Sequence, residues 1–466
     1  MRRVLWMLAV VLIVAAAVVG VRLYRQRPIA LDDVYPGVTW THLVPQLAPV
    51  AGIPGIRAED CGQCHQRHYQ EWKQSTHAHA YSDLQFQSEL GKPTSPAWLC
   101  LNCHIPVENQ RDELVKALRA GKLGQPLKMP NPGFDARLRD EGITCAACHV
   151  RRDDAGQSYI LGSGASAGGK PPHPVRVDRQ ELVGRCYDCH DQSYRLTSQL
   201  VCAFATGDEL RAGPYAGEKE CVSCHLPAEM RPLVKDAPAR LAHNHAFIGG
   251  GVPKQFDLFD AQLDWGYRPA IDIEYSETND AHQLDIRITN ARAGHRAPTG
   301  DPERYYLVEA ILLGAGEEVM AKEQLRIGQV WEWEPTARRI FDNRMAPKEE
   351  RRWQPALRAG IFGRTGFAPA AEVRREEPLA PVAGVARRLR VVVSHVRLTK
   401  ENGDWMKKTA ATAASAFAPA IAELEQHYPY ARYLFWSETE LSTGTRVTAT
   451  PEELSRRSQE RPTQPR

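Results

Sequence analysis

The polarity pattern of the chain begins with VLWMLAVVLIVAAAVVGV, residues 4–21, which carries no charge and follows Arg2 and Arg3. A helix of that length reaches roughly 27 Å at about 1.5 Å per residue, close to the thickness of a bilayer core. A transmembrane helix over residues 1–24 is expected. The apolar run is longer than a usual signal-peptide core and no good A-x-A site precedes the polar sequence, so an uncleaved signal anchor is favoured and a cleaved signal peptide is the alternative. Residues 25–57 are rich in Pro and Gly without helical period and read as an extended linker. Over residues 58–250 the pattern is broken into short pieces. RDELVKALRA (111–120) reads as a short helix, and the run GSGASAGGKPPHP (162–174) reads as loop.

Downstream the period changes from helical to alternating. LDIRITN (284–290), YYLVEAILL (305–313) and RRLRVVVSHVRL (387–398) read as strands, the last ending at the turn signal ENGD (401–404). An antiparallel β-sandwich-like domain over 255–440 follows, with a late helix over ATAASAFAPAIAELEQH that Pro419 weakens. Residues 441–466 are polar and are expected to be a disordered tail. The fold class expected is thus an α-helical, loop-rich domain, a β-sandwich-like domain behind it, and an N-terminal transmembrane helix.

Composition changes the picture through one residue type. Ten of the 11 cysteines fall in five copies of C-x-x-C-H: Cys61, Cys64, His65; Cys100, Cys103, His104; Cys145, Cys148, His149; Cys186, Cys189, His190; and Cys221, Cys224, His225. In this pattern two thiols form thioethers with haem vinyl groups and the adjacent histidine ligates the iron. Zinc ribbons use C-x-x-C pairs but require no histidine after each, and a disulfide framework would not repeat one spacing five times. Five covalently bound haem c groups are expected. The motifs start 39, 45, 41 and 35 residues apart, leaving too few side chains between them for an ordinary core, so porphyrin faces must supply much of the buried apolar surface. Covalent haem attachment outside the cytoplasmic membrane of bacteria places the body in the periplasm. The formal charge of +3 becomes about −2 oxidised and about −7 reduced once haem propionates and iron are counted, which removes any nucleic-acid argument.

A haem iron held by one histidine takes a second protein ligand or leaves that face open, which separates an electron carrier from a catalyst. Outside the motifs stand His42, His68, His77, His79, His173, His243, His245, His282, His295, His395 and His427. His68 follows His65 by three residues on the same helix face and cannot reach the far side of its own haem. His77 and His79 are far enough along the chain to cap a neighbouring haem, with Tyr69 and Trp72 packing on porphyrin. His295, in the loop GHRAPTG, either reaches a haem across the domain boundary or sits at the surface of a sheet-capping turn. His42 is a weaker candidate. His395 shares a strand face with Leu389, Val391 and Val393, and a core or sheet-surface role is expected. Cys202, the odd thiol, reads as a buried small hydrophobe.

The stretch DCGQCHQRHYQEWKQSTHAHAY resembles the multihaem cytochromes related to cytochrome c-554. In these C-x-x-C-H is followed by an aromatic and then W-x-x-S-x-H-A-x-A, here Tyr69, Trp72, Ser75, His77, Ala78 and Ala80. The similarity continues through EGITCAACH and ECVSCHLP and covers residues 58 to about 250. It implies that His77 is an axial ligand to another haem. HPVR at His173 and HNHAFIGG at His243 and His245 resemble segments that cap haems, with His245 the better match. NARAGHRAPTGDPER and DNRMAPKEERRW look like a β-domain appended to some of these proteins. The distal candidates are therefore His77, His173, His245 and His295.

Electron transfer between a membrane donor and a soluble or outer partner is the function expected, with redox proteins, among them another cytochrome, as partners and no catalytic residue assigned. The alternatives are an oxidoreductase acting on a small nitrogen or sulfur compound at one open haem, a quinol-oxidising cytochrome, and an assembly module whose β-domain binds another cytochrome. None of the five motifs replaces its histidine by lysine, as certain nitrite reductases do.

Overall fold

The computed structural model describes residues 2–36, 44–92, 95–164, 171–195, 198, 201–277, 284–333, 335–355, 357, 386–411 and 415–460. His42, His282 and residues 165–170 of the glycine run lie outside them.

Arg2–Arg25 is one continuous helix, and its stretch Trp6–Arg25 buries none of its surface in the rest of the molecule. A helix this apolar fits either a membrane anchor or a signal sequence.

The segment expected as an extended linker is built into the body behind it. Pro28–Ala30 pairs antiparallel with Glu113–Arg119, and Val44, Leu47 and Val50 are buried beside Val107, Leu138 and Ala146. This pairing also corrects the helix expected over 111–120: Glu113–Arg119 is the middle strand of a three-stranded sheet. Leu118 is fully buried there, and Pro126–Pro130 pairs on the other edge. Partners on both sides supply ladder hydrogen bonds that a lone ten-residue helix, marginal in water, would lack.

The rest of residues 58–250, expected to be α-helical and loop-rich, combines very short helices with small sheets such as Asp191–Arg195 with Val201–Ala205 and Ala228–Arg231 with Arg240–His243. Each motif begins or contains such a helix, as at Ala58–Gly62, Ala97–His104, Cys145–His149, Tyr187–His190 and Cys221–His225. Their apolar clusters are small and separate.

Two antiparallel sheets follow. Ile271–Glu277, Leu284–Asn290 and Glu350–Trp353 form one. The other has six strands in the order Arg338–Asp342, Val319–Glu332, Tyr305–Leu313, Arg388–Val396, Ala431–Glu440 and Arg446–Thr448. Leu284–Asn290 alternates buried and half-buried residues throughout, the signature of a strand with one face in a core. Ile286 and Ile288 from the small sheet join Val308, Leu312, Val391 and Val393 from the large one in a single apolar core.

Three further expectations are corrected. ENGD is not a turn but opens the helix Lys400–Ala410, whose N-cap Thr399 accepts a hydrogen bond from the Asn402 amide. The late helix is two short pieces, Ala418–Ala422 and Leu424–His427, with Pro419 in the first turn of the first. Pro451–Glu460, expected to be disordered, is a helix. Its buried Ser458 accepts from the Tyr433 amide (2.9 Å) and its Ser455 donates to Asp260 (2.7 Å). Serines in place of the usual apolar stripe made this helix invisible to a periodicity reading.

Candidate haem-binding site

The first motif leads directly into the helix Gln66–Lys73, with His65 as its N-cap residue. On this helix Trp72 donates its indole N–H to the Ile143 carbonyl (2.8 Å) and packs with Ala58 and Ala78. Tyr69 stacks on it at 5.9 Å between ring centroids. The loop before the third motif is thereby fastened to the first. Gly142 completes the join, since its backbone is left-handed (φ +62°) and a Cβ there would stand 2.6 Å from the His77 carbonyl oxygen. Only glycine allows that approach. Glu141 accepts hydrogen bonds from the Ala58 amide (3.0 and 2.9 Å) and the Thr144 hydroxyl, linking the starts of the first and third motif helices. Burial holds its carboxyl up at about 7.

The same helix also places a histidine from far downstream. Glu71, fully buried, pairs with Arg231, and a second contact of that pair is 2.9 Å. Glu71 accepts the His245 amide (2.8 Å), and Arg231 donates to the His243 carbonyl (2.6 Å). Removing one member of such a buried pair strands the other charge.

The imidazoles fall into facing pairs. Ring centroids are 6.1 Å apart for His149 and His245, 6.1 Å for His77 and His190, and 6.2 Å for His225 and His295. These are the residues that would hold haem iron in each pair, with metal–imidazole bonds of about 2.0–2.1 Å, and haem would supply one-electron redox chemistry there. His173 is the neighbour whose charge is felt by His65. His68 stands perpendicular to His65 at 5.9 Å and to His245 at 4.8 Å, beside these rings rather than stacked on either. His79 is half-buried, and His395 sits near the end of the inner strand Arg388–Val396, paired with Tyr306 on one side and Arg432 on the other.

Six of the rings have Nδ1 beside a backbone carbonyl, whereas Nδ1 of His77 is buried without a partner. Nδ1 of His65, His104, His149 and His225 lies at hydrogen-bond distance from the carbonyl oxygens of Leu233 (3.2 Å), Ala80 (2.7 Å), Leu161 (2.9 Å) and Ile248 (2.5 Å). His245 and His295 make the same contact with His243 and Arg296, both at 2.9 Å. A ring that donates Nδ1–H to a carbonyl leaves Nε2 free for a metal. Burial pushes the His77 and His245 imidazoles down to about 3 and His104 and His190 to about 4, keeping all four neutral.

His65 and His104 differ from the other motif histidines. Among the described residues no second imidazole stands in such a pair with either; His65 meets His68 edge-on, and Phe86 stacks flat against the His104 ring, 3.5 Å between centroids. Phe86 lies on the helix Leu84–Leu90, capped by Asp83, and nothing in its sequence marks it as a partner of a motif histidine.

His295 is brought to His225 by a fastened loop. Thr299 donates to Glu209 (2.8 Å) and meets Thr206 (2.9 Å), buried Arg344 pairs with Glu209 (2.7 Å), and Asn290 donates to the His295 carbonyl (3.1 Å). The loop is therefore both a turn at a sheet end and a contact between regions.

Thiols of different motifs also meet. Cys61 and Cys145, Cys103 and Cys189, and Cys186 and Cys221 lie near enough to shift one another's ionisation. The attachment points of the first and third motifs, the second and fourth, and the fourth and fifth are thus adjacent. Cys202, on the strand Val201–Ala205, is partly buried, and burial lifts its thiol to about 12. Among the described residues no group of three or more His, Cys, Asp and Glu side chains could hold a bare metal ion.

Thiol pairs, neutral imidazoles with Nε2 free and paired rings make up the donor set of a multihaem c-type cytochrome. Residues 60–123 match the family model described as cytochrome c554 and c-prime. The fold is similar to the crystal structure of a penta-heme cytochrome c552 from Thermochromatium tepidum. The TM-score is 0.51 over 84% of this chain and 100% of that one, at 17% identity, a likeness of fold. No curated protein matches the chain.

Proposed function

We propose that this chain is a pentahaem electron carrier that passes single electrons through closely packed haems, anchored by its N-terminal helix with its body in the periplasm. The observation that carries the reading is the facing of His149 with His245, His77 with His190 and His225 with His295 at 6.1–6.2 Å. An iron ligated on both faces exchanges electrons with little rearrangement and offers no site for substrate. Haem c supplies the redox chemistry. The chain's own residues hold the rings neutral, fix Nε2 toward the iron and keep the faces dry. The thiol contacts support a branched order in which the fourth haem neighbours the second and the fifth, and the first neighbours the third. Redox proteins of the periplasm, or a quinol at the membrane, are the partners this reading calls for.

A second reading rests on His104, which has Phe86 rather than a facing imidazole among the described residues. A haem open at this position would bind a small nitrogen or sulfur compound, making the chain an oxidoreductase.

Intact mass and haem absorbance of the exported protein test the first reading. Five covalent haems per chain, with membrane-fraction recovery that high salt does not release, are expected. Fewer haems overturn the count, and release by salt overturns the anchor. Stopped-flow reduction tests the carrier role: all haems should be reduced and reoxidised without added substrate.

A further inference from the structure

Where the β-strands meet the glycine run 249–251, five cationic or imidazole side chains are gathered with little exposure: Lys254, Arg304, His395, Arg397 and Arg432. Three have partners. Lys254 pairs with Asp83. Arg397 donates to the carbonyls of Val252 (3.1 Å), Pro253 (2.7 Å) and Pro429 (2.5 Å). Arg432 donates to the carbonyls of Gly251 (2.7 Å) and Phe259 (3.1 Å) and to Gln262 (2.6 Å).

The other two are incomplete. Arg304 Nε is buried without a hydrogen-bond partner, and so is Nε2 of His395, a residue only 5% exposed. Both border Gly250. A Cβ there would stand 3.1 Å from Arg304 Nη1, and His395 hydrogen-bonds to the Gly250 backbone. One residue earlier, a Cβ on Gly249 would stand 3.0 Å from His225 Nδ1. The charge of Arg304 is also felt by His190. Arg304, its Nε without a partner, therefore lies near the motif histidines of the fourth and fifth haems.

An interior Nε left unmet can take a further acceptor, and the planar fork of the guanidinium matches a carboxylate. We propose that Arg304, with His395 beside it, accepts a propionate carboxylate of the haem held by His190, so that the β-region supplies that haem's counter-charge and raises its potential. This rests on the haem-binding reading above. A free oxyanion such as nitrite or formate has the same chemistry and is the other possible source of the negative charge.

The test is a redox titration of the full holoprotein, wild type against Arg304→Gln, after haem content has been measured for each. One haem should become harder to reduce by about tenfold in its equilibrium, which is about 59 mV for one electron. The remaining haems should hold, and added nitrite or formate should not move the wild type. Arg304→Lys keeps the charge but not the fork and should recover part of the shift. Superimposed titrations of wild type and R304Q at equal haem content would overturn the proposal. A wild-type potential that follows nitrite or formate concentration, with R304Q unresponsive, would overturn the propionate in favour of a free oxyanion. If R304Q does not assemble, R304K and His395→Phe are compared instead: a smaller shift in the same direction supports the clamp, and none overturns it. A wild-type haem content below five would fail the haem-binding reading itself.

Discussion

The strands between residues 271 and 440 and the short helices between 58 and 250 solve the problem of burial in different ways. The strands close on one continuous apolar core in which Ile286, Ile288, Val308 and Val391 have no exposed surface. The short helices surround only small clusters, and their buried polar groups include the Glu71–Arg231 pair. A region that lacks its own core and lines its interior with neutral histidines is shaped for a group that arrives from outside. In the strand region Arg304 and His395 are among the side chains that keep a buried polar atom without a partner.

The largest expected effect breaks the molecule along that line. If the full chain is produced without haem attachment, amide hydrogen exchange should show protection lost through 58–250 and kept in Leu284–Asn290, Tyr305–Leu313 and Arg388–Val396. Equal loss in both regions would mean that the strands depend on the haems. Next in size is Glu71→Ala, which leaves Arg231 buried and unpaired and should cost about 3–5 kcal/mol in denaturant unfolding, together with a changed spectrum of the haem served by His245. Leu312→Ala, in the strand core, should cost about 2–5 kcal/mol and leave every haem spectrum as it was. The smallest is Thr399→Ala, which removes an N-cap and should cost about 1 kcal/mol, read as a lowered melting temperature with haem potentials unmoved.

How much of this was legible in the sequence also differs between the regions. Alternation marked LDIRITN, and a continuous apolar run marked YYLVEAILL, which is buried on both faces. The five motifs were equally plain, since haem attachment demands adjacent residue types. Of His77, His173, His245 and His295, read from the sequence as distal candidates, all but His173 have a ring centroid 6.1–6.2 Å from that of a motif histidine. The missed residues act through folding rather than pattern. Glu71 reads as a solvent-facing charge on a helix until Arg231, 160 residues away, is packed against it. RDELVKALRA has helical composition, but strands on both edges fix it as a strand. Phe86 and Arg304 belong to no motif, and only long-range packing brings them to His104 and Gly250.

The central claim is that paired histidines close the iron coordination at His149, His190 and His225, with His65 and His104 outside such pairs. Electron paramagnetic resonance and optical spectra of the holoprotein with and without carbon monoxide address it directly, using wild type and His295→Ala. The account predicts that in the wild type any carbon monoxide response is confined to at most two haems, and that H295A adds one further responding haem. A wild type in which several haems bind carbon monoxide, or an H295A protein whose spectra match the wild type, would contradict it.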